Sequence, residues 1–250
     1  MSSPRGQVRT EPSDKRVRIY FGGELIADTT DALYVWEGPN YPQYYIPGRD
    51  IAPNVLVASA TTKRSPSRGT ATYYTVRSGG REATDAAWSY ADSPLDELRD
   101  LVRFDFDAMD AWFEEDEEIF VHPRSPTTRV QILPSSRHVT VSVDGVVIAD
   151  TRRPMFLYET GLPRRTYFSK LDVRMDLLRS TDKSSRCPYK GTARYWTVTT
   201  PTAEHADLAW SYPAPFRESE RIAGLVAFYD ERVDVTVDGE RQARPRTPFS

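Results

Sequence analysis

Between Val17 and Ala27 the chain reads VRIYF-GG-ELIA: apolar and polar positions alternate, break at two glycines, and resume. Alternation with period two puts every second side chain on one face of a strand, and Gly-Gly supplies the positive φ angles of a tight hairpin. Val139 to Ala149 repeats the arrangement as VTVSV-DG-VVIA, with Asp144-Gly145 at the turn. Thr70 to Val76 and Thr192 to Val198, rich in Thr, Tyr, Trp and Val, predict further strands. Ile222 to Tyr229 and Val233 to Val237 follow, ending in another Asp-Gly. Helical character is confined to Pro94–Arg103, where Ser93 stands as a cap and Leu95, Leu98, Leu101 and Val102 share one side.

The pattern repeats because the sequence does. Ile26-Ala27-Asp28-Thr29 recurs as Ile148-Ala149-Asp150-Thr151, a shift of 122 residues. The same shift aligns Glu37 with Glu159, Tyr45 with Tyr167, Asp50 with Asp172, and Trp88-Ser89-Tyr90 with Trp210-Ser211-Tyr212. Without a gap, 26 of the 90 positions from Val17 to Phe106 are identical, far more than chance supplies. The expectation is an all-β chain of two tandem antiparallel domains, residues 14–107 and 136–240. Residues 108–135 are expected to form an acidic-aromatic linker, and 1–13 and 241–250 polar tails.

Composition narrows the function. A net charge of −3 provides no cationic field for a phosphate backbone, which argues against nucleic acid. No run approaches the length of a membrane helix, and the first residues lack an apolar signal core, so a cytoplasmic protein is expected. One cysteine, Cys187, rules out an internal disulfide and fits a reducing compartment. With three scattered histidines, it makes a structural zinc site unexpected; neither metal nor cofactor is anticipated.

Candidate chemistry sits in residues 186–191, Arg-Cys-Pro-Tyr-Lys-Gly, where a turn could present Lys190 to an anionic or carbonyl group. The bland alternatives are an exposed lysine beside a turn and an inert buried Cys187. Trp210 and Tyr212, like Trp88 and Tyr90, are two apart and share a face, either as core or as a wall for a flat ligand. Glu159 and Glu37 close apolar strands, where a carboxylate needs a partner or becomes a pocket acid. No phosphate-binding glycine loop and no Ser-His-Asp spacing is present.

These residues resemble the family called domain of unknown function 427. Its hallmark is a turn Cys-Pro-Tyr-Lys-Gly-Thr-Ala followed by Trp-x-Tyr, here Cys187 to Ala193 and Trp210 to Tyr212, with Glu159, Tyr167 and Asp172 upstream. The resemblance implies a bacterial protein of the β-tent fold, similar in architecture to methionine-sulfoxide reductase B and the drug-binding domain of cereblon. It also implies a pocket between two sheets. It carries no assigned activity, and the absence of the zinc cysteines excludes transfer of metal chemistry. The expected site is Lys190 and Glu159 as reacting groups, with Tyr167, Asp172, Trp210, Tyr212 and Cys187 binding a small molecule. Glu37, Tyr45, Asp50, Arg68, Trp88 and Tyr90 are the first-copy counterparts, of which Arg68 departs from the pattern along with Ser65 and Ser67. A protein- or peptide-interaction module is the rival expectation.

Overall fold

The computed structural model describes residues 8–247, which fall into two compact units dividing after Ser125. The first unit contains β1 (Arg9–Pro12), β2 (Val17–Phe21), β3 (Glu24–Thr29), β4 (Leu33–Trp36), β5 (Gln43–Pro47), β6 (Leu56–Ser65), β7 (Gly69–Ser78), β8 (Arg81–Ser89), β9 (Leu101–Phe104), β10 (Ala111–Glu114) and β11 (Glu117–Ile119). The second contains β12 (Val130–Pro134), β13 (Val139–Val143), β14 (Val146–Thr151), β15 (Met155–Glu159), β16 (Arg165–Phe168), β17 (Leu178–Cys187), β18 (Gly191–Thr199), β19 (Glu204–Ser211), β20 (Val226–Phe228), β21 (Asp234–Val237) and β22 (Glu240–Arg241).

Each unit is a seven-stranded and a four-stranded antiparallel sheet. The orders are β1-β4-β5-β9-β8-β7-β6 and β11-β10-β2-β3 in the first, β12-β15-β16-β20-β19-β18-β17 and β14-β13-β21-β22 in the second. Strand for strand, the two orders are the same. Alternation explains the inter-sheet cores. Val17, Ile19 and Phe21 in β2, and Val139, Val141 and Val143 in β13, turn inward, while their neighbours stay partly exposed. Each such burial contributes about 1.5–3 kcal/mol. The hairpin turns have the positive φ expected: +62° and +77° at Gly22-Gly23, +50° and +79° at Asp144-Gly145.

Four expectations need correcting. Residues 108–119 are not linker: β10 pairs with β2, and β11 with β10, so this stretch is the first unit's last hairpin. It corresponds to β21–β22, with Glu115 at φ +51° where the second copy has Asp238 at +51°. The run of carboxylates disguised the turn. Arg9–Pro12, expected as tail, is an edge strand on β4, equivalent to β12 on β15; residues 1–7 and 248–250 lie outside the described residues. Pro94–Arg103 is not a helix but one 3-10 turn, Asp96–Leu98, followed by β9, because pairing with β5 and β8 outweighs the local helical pattern. Likewise, Ile222 ends a 3-10 turn, Arg217–Ile222, and only Val226–Phe228 is strand.

The ungapped shift also fails at that last strand. Ala87 pairs with Phe104, whereas Ala209 pairs with Phe228, an offset of 228 − 104 = 124. Two extra residues sit in the 3-10 turn of the second copy. An even insertion preserves which face each side chain occupies; an odd one would have turned the strand inside out.

Candidate functional site

In the seven-stranded sheet of the second unit, alternate residues feed different cores. Phe156, Phe168, Val226 and Phe228 face the four-stranded sheet. Their neighbours Leu157, Tyr167 and Ala227 face the other way, joining Tyr195, Trp210, Tyr212 and Ile222 in a separate buried cluster. The members of that cluster come only from the seven-stranded sheet and its following turn, so the sheet must curl around it. A bulge in β19 provides the bend. Asp207 has φ +52° and accepts a hydrogen bond from Thr181 Oγ1 at 2.8 Å, and adjacent Leu208 and Ala209 both face the inter-sheet core. Asp85, φ +54°, does the same in β8 with Ser59 and Thr61. The cluster is therefore not between the two sheets, where the expected pocket was placed.

Lys190 and Glu159 meet at its margin. Lys190 is the last residue of a turn closed by its amide on the Cys187 carbonyl, 3.4 Å. Gly191 follows at φ +94°, so glycine is favoured there for the angle; a β-carbon would meet the Ala214 carbonyl oxygen at 3.4 Å, an ordinary contact. The lysine donates from Nζ to Glu159 Oε2 at 2.5 Å, and each side chain is only 10% exposed. Glu159 ends β15, so one strand end and one turn supply the two charges.

Tyr167 is fully buried and its hydroxyl accepts from Trp210 Nε1 at 3.4 Å. Burial, reinforced by Cys187 and Glu159, drives the Tyr167 phenol above its usual range, with Trp210 opposing. Burial does the same to Tyr212, again with Tyr167, Cys187 and Glu159 acting on it. Both phenols are thus held as neutral hydroxyls. The turn and the strands bring together Lys190, Glu159, Tyr167, Trp210, Tyr212 and Cys187. They do not bring Asp172, whose carboxylate accepts from Thr151 Oγ1 at 2.7 Å beside a 3-10 turn; Asp50 accepts from Thr29 at 2.7 Å in the same way. Tyr and Asp five apart straddle a turn that carries the Asp away.

A family model described as Domain of unknown function (DUF427) matches residues 9–115 and again 131–239. The chain belongs to this family. No curated protein matches it. The first DUF427 match ends inside the β10–β11 hairpin, in keeping with that hairpin's place in the domain. In the first DUF427 domain the counterparts assemble differently. Tyr45 donates to Glu37 Oε1 at 2.6 Å, and Arg68 Nε donates to the Tyr90 hydroxyl at 3.3 Å instead of reaching the carboxylate. Arg103, whose strand position in the second domain is held by Ala227, takes the place beside Glu37. A shallow depression of about 440 Å³ lined by Asp28, Asp31, Arg49 and Asp50 lies elsewhere in this domain and includes none of these groups.

Sequence reasoning also missed Arg165. It is buried, bonded through both terminal nitrogens to Glu231 at 2.8 and 2.5 Å, 3.6 Å from Asp230, and 5.7 Å from the Trp210 ring centre. Gln43 occupies its position in the first copy, so the repeat gave no signal; the acidic pair Asp230-Glu231 after an apolar strand was the only sign. Among the described residues, no group of three or more His, Cys, Asp or Glu could hold a metal, and no helix is long and apolar enough to cross a membrane.

Proposed function

We propose that the second domain binds a small molecule, as a binding protein or as an enzyme, at the Lys190–Glu159 pair of a cytoplasmic bacterial protein. The observation that supports this reading is the pair itself. Two opposite charges, each with a side chain 10% exposed, stand against a wall of Tyr167, Tyr212, Trp210 and Cys187. Withdrawing both charges from water is costly, and apolar residues of similar size would often hold the fold as well or better, so stability alone is a weak reason for them. A ligand that uses the lysine's remaining N–H donors is a better one. In the paired form Lys190 presents donors to a ligand oxygen. Attack on a carbonyl would first require its proton to pass to Glu159. Trp210 and Tyr212 supply the flat apolar side.

Protein recognition draws on a different observation: Leu171 is 93% exposed, and Leu133 and Tyr158 are each more than 40% exposed. Mass spectrometry of small molecules co-purifying with the full chain separates the two. A compound retained by the parent and lost from Lys190→Met supports binding at the pair. A compound retained equally by both, or none from the parent and no thermal shift across a metabolite library, ends it.

A further inference from the structure

The two copies of the cluster differ in charge. β9 sets Arg103 opposite Tyr45 and Trp88, where β20 sets Ala227 opposite Tyr167 and Trp210. The first domain thus gathers two guanidinium groups, Arg68 and Arg103, around one carboxylate, Glu37. Arg103 lies over the Trp88 ring, 4.2 Å from its centre, with Nε 3.2 Å from Glu37 Oε1. Despite that distance its Nε–H is buried and makes no hydrogen bond, while Tyr45 donates to the same carboxylate oxygen. Arg68 makes one bond, to Tyr90, and Glu37, Tyr45 and Tyr90 are the groups that act on its charge. Neither guanidinium uses a terminal nitrogen in a hydrogen bond among the described residues.

A guanidinium carries five N–H donors, and a donor buried in the protein is ordinarily satisfied. Here Arg103 Nε–H is buried without a partner, and the terminal nitrogens of both guanidinium groups, which are not buried, make no hydrogen bond within the protein. The site is also the more open of the two: the Glu37 and Arg103 side chains are 21% and 13% exposed, against 10% for both Glu159 and Lys190. We infer that Arg68 and Arg103 form a binding site for a small organic carboxylate in the first domain. The planar fork of a guanidinium matches the two oxygens of a carboxylate. Trp88 stands between Arg103 on one face and the stacked Tyr73 on the other, so the ligand's body meets the edges of these rings beside the guanidinium groups. With Glu37 in place the cluster has one surplus positive charge, which suits a monoanion better than phosphate.

Titration of the full chain with benzoate by calorimetry, with inorganic phosphate as the comparison, tests the site. Benzoate should bind once per chain and more tightly than phosphate. Arg68→Met and Arg103→Ala should each weaken it by about tenfold or more, the loss of a charge-assisted bond, while Lys190→Met leaves it unchanged. Arg103→Ala introduces the residue that the second copy already carries there; if it lowers the melting temperature, Arg68→Met alone decides. No saturable benzoate binding at millimolar concentration, tighter binding of phosphate, or unchanged affinity in Arg68→Met would overturn the inference. So would loss of benzoate binding in Lys190→Met, which would move the carboxylate to the second domain.

Discussion

Replacing Lys190 by methionine keeps most of the apolar stem, one atom shorter, and removes the ammonium, leaving the Glu159 carboxylate without its partner in a setting where its side chain is 10% exposed. Stranding one member of a buried pair costs about 3–5 kcal/mol. The second unit spans 125 residues, 126–250, a size for which each kcal/mol moves the melting temperature by about 4 °C. Lys190→Met should therefore melt about 12–20 °C below the parent at neutral pH, as measured by calorimetry. Adding Glu159→Leu should recover most of the loss, because an apolar pair of similar volume is often neutral or stabilising. Arg68→Met, which strands no listener so close, should move the melting temperature much less: Glu37 keeps its bond from Tyr45 and the nearby Arg103. A Lys190→Met protein that melts within a degree or two of the parent, or one that Glu159→Leu fails to rescue, would refute the account of a buried, electrostatically coupled pair.

Burial holds the Asp230 carboxyl up at about 6 against an ordinary 3.8, with Arg165 opposing. Its contribution to stability is therefore complete below about pH 4 and lost as the pH rises through 6. Two units correspond to about 3 kcal/mol, and Asp230→Asn should flatten that fall in urea unfolding between pH 4.5 and 8; an unchanged slope would count against it. Asp207→Ala removes the bond from Thr181 and puts alanine at φ +52°, so it should destabilise by about 1–3 kcal/mol, and Asp207→Asn by less, in denaturant titrations. EDTA should leave the melting temperature unchanged, and metal analysis should find no stoichiometric zinc; a large drop would mean a site the side-chain inventory does not suggest.

Much of this protein could be read without coordinates because the information was local or repeated. Alternation in Val17–Phe21 and Val139–Val143 is set by the two-residue period of a strand, and Gly-Gly and Asp-Gly announce turns through the φ angles they allow. The duplication needed only identities at a constant spacing, and the turn Cys187 to Gly191 was visible as Pro and Gly around a lysine. The rest depended on partners distant in sequence. Leu95 to Val102 has a helical pattern, yet Val102 is a strand residue because Ile46 and Ser89 lie on either side of it. Glu114 to Glu118 reads as a solvated acidic run, yet it closes a hairpin on Val17. Glu159 and Lys190, 31 residues apart, form an ion pair only because β15 and the β17–β18 turn end at the same margin of a curled sheet. By itself the sequence determined the alternating strands, the glycine-marked turns and the repetition, since those follow from short-range sterics and side-chain period. Tertiary structure alone decided that Asp172 leaves the cluster and Arg103 enters its first-domain counterpart, because sheet order and register, not spacing along the chain, choose which side chains share a face.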